Sequence, residues 1–184
     1  MDRMVIATPF ADDPHAFYYN QKINCMPARG RVKIGGEAYD FAPDSAFAVL
    51  DWGRGVWTYD NVWYWGSASG MVDGRPFGFN IGYGFGDTSA ASENMLFVDG
   101  RAYKLDQVTF HMPDGPPDSA PWRFSSNDGR FEMRFEPAVN RWAKVDAGMV
   151  KTEQDQIFGW FTGEAVLDDG TVMAVRDLPG FAEK

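Results

Sequence analysis

Asp51 and Arg54 stand three residues apart in the run Asp51-Trp52-Gly53-Arg54-Gly55. Burial raises the pKa of a carboxylic acid and a neighbouring guanidinium lowers it, so such a pair can tune a proton donor. Trp52, Trp57, Trp63 and Trp65 crowd the same stretch. Aromatic faces stabilise cations, so an acid walled by tryptophan suits protonation of an alkene or polyene. The plainer reading of Asp51 and Arg54 is an ion pair that pins a tight Gly-x-Gly turn, since structural networks perturb acids as well as catalytic ones do.

Other residues bear on chemistry less directly. His111 closes an extended run before Met112-Pro113. It is a candidate general base at a barrel mouth, or a hydrogen-bonded strand end. Glu93 and Asn94 follow the loop 87–92. They either face a cavity or satisfy loop backbone. Asn80 is the one polar side chain on an otherwise bare strand face, and a buried amide needs a partner in the protein or in a ligand. Tyr83 and the four tryptophans are candidate ligand walls, although aromatic stripes in all-β proteins are more often core. Two histidines and one cysteine cannot build a histidine- or thiolate-rich metal site. Gly82-x-Gly84-x-Gly86 lacks the spacing and the following helix of a dinucleotide fingerprint, and no phosphate-binding loop or nucleophile elbow is present. No cofactor and no metal are expected.

The elements that must position these residues are strands. From Phe77 to Gly86 the chain alternates strictly: Phe77, Phe79, Ile81, Tyr83 and Phe85 against Gly78, Asn80, Gly82, Gly84 and Gly86. Period two predicts one long strand with an aromatic face and a bare one. A bare face lets another backbone or a ligand come close. Gly35-Gly36, Asp73-Gly74, Asp99-Gly100, Asp128-Gly129 and Asp169-Gly170 are hairpin turns by type. They predict paired runs at 31–34 with 37–41, 63–72 with 75–85, 95–98 with 101–111, 123–126 with 130–135, and 157–167 with 171–176. Residues 47–52 and 141–149 are expected as further strands. The fold class is therefore all-β: an antiparallel up-and-down meander closing into a barrel, which removes exposed edges. Residues 1–16, proline-marked and without periodicity, are expected as a lead-in segment, and residues 17–184 as a single barrel domain.

The chain has 184 residues, 45% of them hydrophobic and 16% aromatic, and a formal charge of −9. Such a charge repels phosphate backbones and anionic headgroups, so nucleic acid is excluded as an expected partner. No apolar run is long enough to span a bilayer. Cys25 has no disulfide partner within the chain, and no secretory signal is visible, so a cytoplasmic protein is expected.

Several uncommon words occur in order: Tyr18-Tyr19-Asn20-Gln21-Lys22, Leu50-Asp51-Trp52-Gly53-Arg54-Gly55-Val56-Trp57, Trp63-x-Trp65, the run 78–87, the run 92–105, and Phe161-x-Gly163-Glu164-Ala165-Val166-Leu167-Asp168-Asp169-Gly170. In these the chain resembles the DUF2804 family, and in particular the C-terminal half of its longer members. That family is grouped with calycin-like, two-barrel proteins that include carotenoid 1,2-hydratase, the AttH-like proteins and tocopherol cyclase. The resemblance implies a lipocalin-like barrel that holds a hydrophobic small molecule, with acid-promoted hydration, cyclisation or isomerisation as the chemistry if it is an enzyme. Asp51 is then the first candidate acid. The alternative is a non-catalytic carrier of an apolar ligand, or an interaction module with a packed barrel. A half-length chain of this kind is expected to cover its apolar surface as a homodimer.

Overall fold

Aromatic and β-branched residues at alternate positions, cut by turns that need positive φ, satisfy their backbone best as paired strands. The computed structural model describes residues 1–184 and holds fourteen strands and no helix. They are Met4–Phe10 (β1), Asp13–Pro27 (β2), Gly30–Ile34 (β3), Glu37–Phe41 (β4), Phe47–Val56 (β5), Tyr64–Val72 (β6) and Arg75–Tyr83 (β7). Then follow Met95–Val98 (β8), Arg101–Lys104 (β9), Val108–His111 (β10), Trp122–Ser126 (β11), Phe131–Asp146 (β12), Lys151–Val166 (β13) and Val172–Glu183 (β14). No helix is long and apolar enough to cross a membrane.

The hairpin turns behave as their residues require. Asp73 and Gly74 have φ of 50° and 74°, and Asp99 and Gly100 have 51° and 77°. Paired positive φ values are what a two-residue type I′ turn demands. Nine strands make one antiparallel sheet in the order β10-β11-β12-β13-β14-β6-β7-β8-β9. The sheet curls into a half-barrel. Its two edge strands, β9 and β10, are joined only by residues 105–107, a reach of about 10 Å, so the edges lie near each other. No ladder joins them, and the hydrogen-bonded sheet runs open from β10 to β9.

Four expectations need correction. Residues 4–10, within the expected lead-in, form β1 and pair with β2 from Met4↔Lys22 to Pro9↔Phe17. The aromatic strand ends at Tyr83, because Gly84 and Gly86 take φ of 99° and 79°. The run 101–111 is two strands, broken at 105–107, where Gln107 N–H turns to Asn127 Oδ1 at 3.0 Å. Residues 141–146 are the far end of β12, zipped to β13 down to Asp146↔Lys151.

The concave side of the large sheet is filled. Phe77, Phe79, Ile81, Phe124, Phe131, Phe135 and Phe161 are each fully buried in one cluster of 23 core residues. Phe79 meets Phe131 and Phe161 edge-on, with centroids 4.9 Å apart in both cases. Each such ring contributes about 1.5–3 kcal/mol by burial and about 0.5–1.5 kcal/mol more from its edge-to-face contacts.

The convex side is where the glycines matter. A second sheet, β1-β2-β5, lies over it, and β2 approaches the bare face of β7. A Cβ on Gly78 would stand 2.5 Å from the Ala68 carbonyl oxygen and 2.7 Å from Cys25 Sγ. Asn24 Nδ2 fixes the approach by donating to Ser67 Oγ at 2.7 Å and to the Phe79 carbonyl at 2.9 Å. The next residue, Cys25, has φ of 58° and donates its N–H to Ser69 Oγ at 3.1 Å. This is where the β2·β5 register shifts, between Ile23 and Met26. Burial pushes the Cys25 thiol up to about 11, so it stays a thiol and acts as a small apolar plug.

Gly78→Ala tests this docking. It is expected to cost about 1–3 kcal/mol in urea unfolding, because the added methyl meets backbone that cannot yield. Gly30→Ala, with nothing within 4 Å of the added carbon, is expected to stay within about 0.5 kcal/mol.

Candidate functional site

The site grows out of an inversion in β2. Side chains alternate along a strand, and here the polar set points inward. Asn20, Lys22 and Asn24 are 3%, 4% and 0% exposed, while Phe17 and Tyr19, on the opposite face just before them, are 44% and 36% exposed. Tyr18, Asn20 and Lys22 therefore face the convex side of the large sheet. On β5, the directly paired residues are Gly55, Gly53 and Asp51. Gly53 leaves room for Tyr18, whose ring would lie 2.5 Å from a Cβ there, and Gly55 lies against the Phe17 backbone. Between the two sheets a cleft of about 330 Å³ remains.

Its walls are aromatic and its floor is charged. Trp57, Trp63, Trp65, Phe85 and Tyr18 line it together with Asn20, Lys22, Asp51, Glu93 and Glu183. Tyr18, Trp57 and Phe85 meet edge-on, with centroids 4.8 to 5.8 Å apart. Lys22 Nζ sits 3.6 Å from the centroid of Trp65, 2.9 Å from Asp51 Oδ2 and 3.9 Å from Glu93 Oε2. A buried ammonium needs such partners, because stripping its water is costly. Trp65 is held in turn: its Nε1 donates to Asn80 Oδ1 at 2.7 Å. Asn80 Nδ2 then donates to the Glu93 carbonyl and to Glu93 Oε2, both at 3.0 Å. At the other end Trp63 Nε1 donates to Glu183 Oε2 at 3.2 Å, and Gln156 Nε2 donates to Glu183 Oε1. Burial, with the Asp51 and Glu93 carboxylates adding to it, pushes Tyr18 up to about 12. It is a phenol that keeps its proton and can donate it only as a hydrogen bond.

Asn20 Oδ1 is buried and has no hydrogen-bond partner. It shares this property with Asn24, whose Oδ1 is also buried and unpaired.

The expected site residues divide cleanly. Asp51, Trp57, Trp63, Trp65 and Glu93 are brought together in the cleft. The Asp51–Arg54 pair does not form. Three residues of extended chain put the two on opposite faces of β5, and Lys22 takes Asp51 instead. Arg54 and Trp52 lie on the outer face, paired to Tyr19 and Gln21. Asn80 and Asn94 lie beneath the site. Asn94 accepts the Gly82 N–H at 2.8 Å and donates to the Asp106 carbonyl at 2.8 Å. Tyr83 packs with Tyr64 and Phe110 against the core. His111 is exposed at the end of β10, with Nε2 2.8 Å from Ser125 Oγ, and does not line the cleft. Tyr18, Asn20, Lys22, Phe85 and Glu183 were missed as site residues. The signal for the first three was the period-two polar set Tyr18, Asn20, Lys22, Asn24.

A larger groove of about 670 Å³ runs along the same convex face past Phe41, Phe47, Val139, Phe158, Trp160 and Phe181. No charged side chain lines it, so it offers little to orient a ligand.

Two measurements probe the cleft. A double-mutant cycle of Lys22→Met with Asp51→Asn is expected to give a coupling of about 1–3 kcal/mol in denaturant unfolding, because one partner is nearly fully buried. The Tyr18 phenol, raised from 10.0 to about 12, favours the folded state when protonated. Stability is therefore expected to fall as pH rises through the window from about 10 to about 12, and Tyr18→Phe is expected to flatten that fall.

Neither the curated proteins nor the solved structures offer a match to this chain. A family described as "Domain of unknown function (DUF2804)" matches residues 1–184. Matched over its whole length, the chain belongs to the DUF2804 family.

Proposed function

We propose that the protein binds a small, largely apolar organic molecule in the cleft between β2 and the convex face of the large sheet. The apolar body would lie against Trp57, Trp63 and Phe85, and its polar group would reach the floor at Asn20 and Glu93. The observation that carries this reading is the cleft itself, where Trp57, Trp63, Trp65 and Phe85 stand over Asn20, Lys22, Asp51 and Glu93. The mix of aromatic walls with a few convergent polar groups supports the same reading.

Acid-promoted chemistry has less support. The Asp51 carboxylate is engaged by Lys22 Nζ at 2.9 Å, and Tyr18 holds its proton to about 12. Neither resembles an acid free to protonate an alkene at neutral pH. A ligand inside the curl, as in a lipocalin, also has less support than one outside it, because the concave side is filled by phenylalanine rings.

Titration with 1-naphthalenemethanol, followed by tryptophan emission, tests binding. The expected result is a saturable change that Trp57→Ala weakens at least tenfold. No saturable change with folded protein would remove the proposal.

A further inference from the structure

We infer that the chain pairs with a second copy of itself, the arm of each copy lying in the apolar groove of the other. The arm is the free end of the β12–β13 hairpin. β11 pairs with β12 no further than Phe135, and β14 pairs with β13 only from Gln156 onward. Outside those limits the two strands have only each other, from Val139↔Phe158 to Asp146↔Lys151. Every residue from 141 to 153 is exposed. A two-stranded ribbon of this kind is marginal in water and leaves its backbone edges open. It nevertheless carries Val139, Val145, Met149 and Val150, each more than half exposed.

The groove begins at the root of the arm. Val139 and Phe158 are directly paired, and both line the groove. Alternation puts Ala143 and Val145 on the face of Val139. Beside the groove, β5 has a ladder partner on one side only. The arm runs on from the groove's own wall as an unbroken ladder of about 25 Å, so it cannot fold back into that groove. It can reach the groove of a second copy, and a two-fold axis makes the exchange mutual.

Size and charge suit the same partner. The four arm residues, with Phe41, Phe158 and Trp160 of the groove, present about 700 Å² of apolar surface. The largest patch on a typical monomer is about 300–600 Å², and a stable interface buries about 800 Å² on each side. The chain carries a charge of −9, yet the arm is neutral, with Arg141, Lys144 and Lys151 against Asp146, Glu153 and Asp155. Lys144 meets Glu153 at 2.9 Å and Lys151 meets Asp146 at 3.2 Å. The groove has no charged side chain. Two copies therefore meet there without the repulsion that their net charge imposes elsewhere.

Sedimentation of the full chain over about 1–100 μM tests this. The expected mass is twice the 20.6 kDa of one chain. Val145→Glu on the arm and Trp160→Lys in the groove are each expected to weaken self-association at least tenfold with circular dichroism unchanged. Val172→Glu, at a residue exposed away from both, is expected to leave the dimer intact. Mixing the arm variant with the groove variant is expected to restore a dimer, because the hybrid keeps one unaltered contact and sets Glu against Lys in the other. A wild-type species of 20.6 kDa throughout would overturn the inference and leave the groove to another occupant. A dimer insensitive to both substitutions, or folded variants whose mixture stays monomeric, would overturn it as well.

Discussion

A strand that turns its polar side chains inward must find a partner for each of them, and everything in this molecule follows from how β2 does so. Asn24 bridges Ser67 and the Phe79 carbonyl. Lys22 lies between Asp51 and the Trp65 ring. Such contacts need β2 close to β7, and closeness needs a strand face without side chains. Gly78 provides it, leaving no room for a Cβ beneath Cys25, while Gly82 makes room for the Glu93 carboxylate. The aromatic face of the same strand fills the curl on the other side. One ten-residue pattern thus makes both the core and the seat for the second sheet.

The site is the place where this docking is incomplete. Below it, at Asn24 and Cys25, the two sheets touch and exclude space. Above it, Tyr18 crosses Gly53 and room remains between the tryptophans. The charged groups at the junction are not free to relax. Asn80 holds Trp65 and Glu93 together through its two ends, so the ring under Lys22 and the carboxylate beside it move as one. A hydrogen-bonded network of this kind is rigid, although Asn20 and Asn24 each leave a buried Oδ1 without a partner.

Much of the fold was legible because its turns are local. Asp73-Gly74 and Asp99-Gly100 encode their own φ values, and each fixes a hairpin without help from elsewhere. The bare face of β7 was legible for the same reason. What lies on it was not, because Asn24 and Phe79 are 55 residues apart and no short-range pattern links them. Lys22 was hidden by a rule that usually holds: a polar alternation reads as the solvent face. Here Phe17, Tyr19, Leu50, Trp52 and Val56 are the exposed set instead. The Asp51–Arg54 pairing failed on strand geometry alone, since an odd spacing in extended chain separates the faces. Glu183 came from the far end of the chain and had no local signal.

The most direct measurement is the NMR resonance of the Lys22 side-chain ammonium. A group 3.6 Å above the Trp65 ring lies in its shielding cone and, being buried, exchanges slowly with water. The account predicts ε-methylene and ammonium signals shifted strongly upfield, with the ammonium protons visible at neutral pH, and both features lost in Trp65→Leu. Signals at solvent-like positions with fast exchange would contradict it, because Lys22 would then lie outside and β2 would not be docked as described.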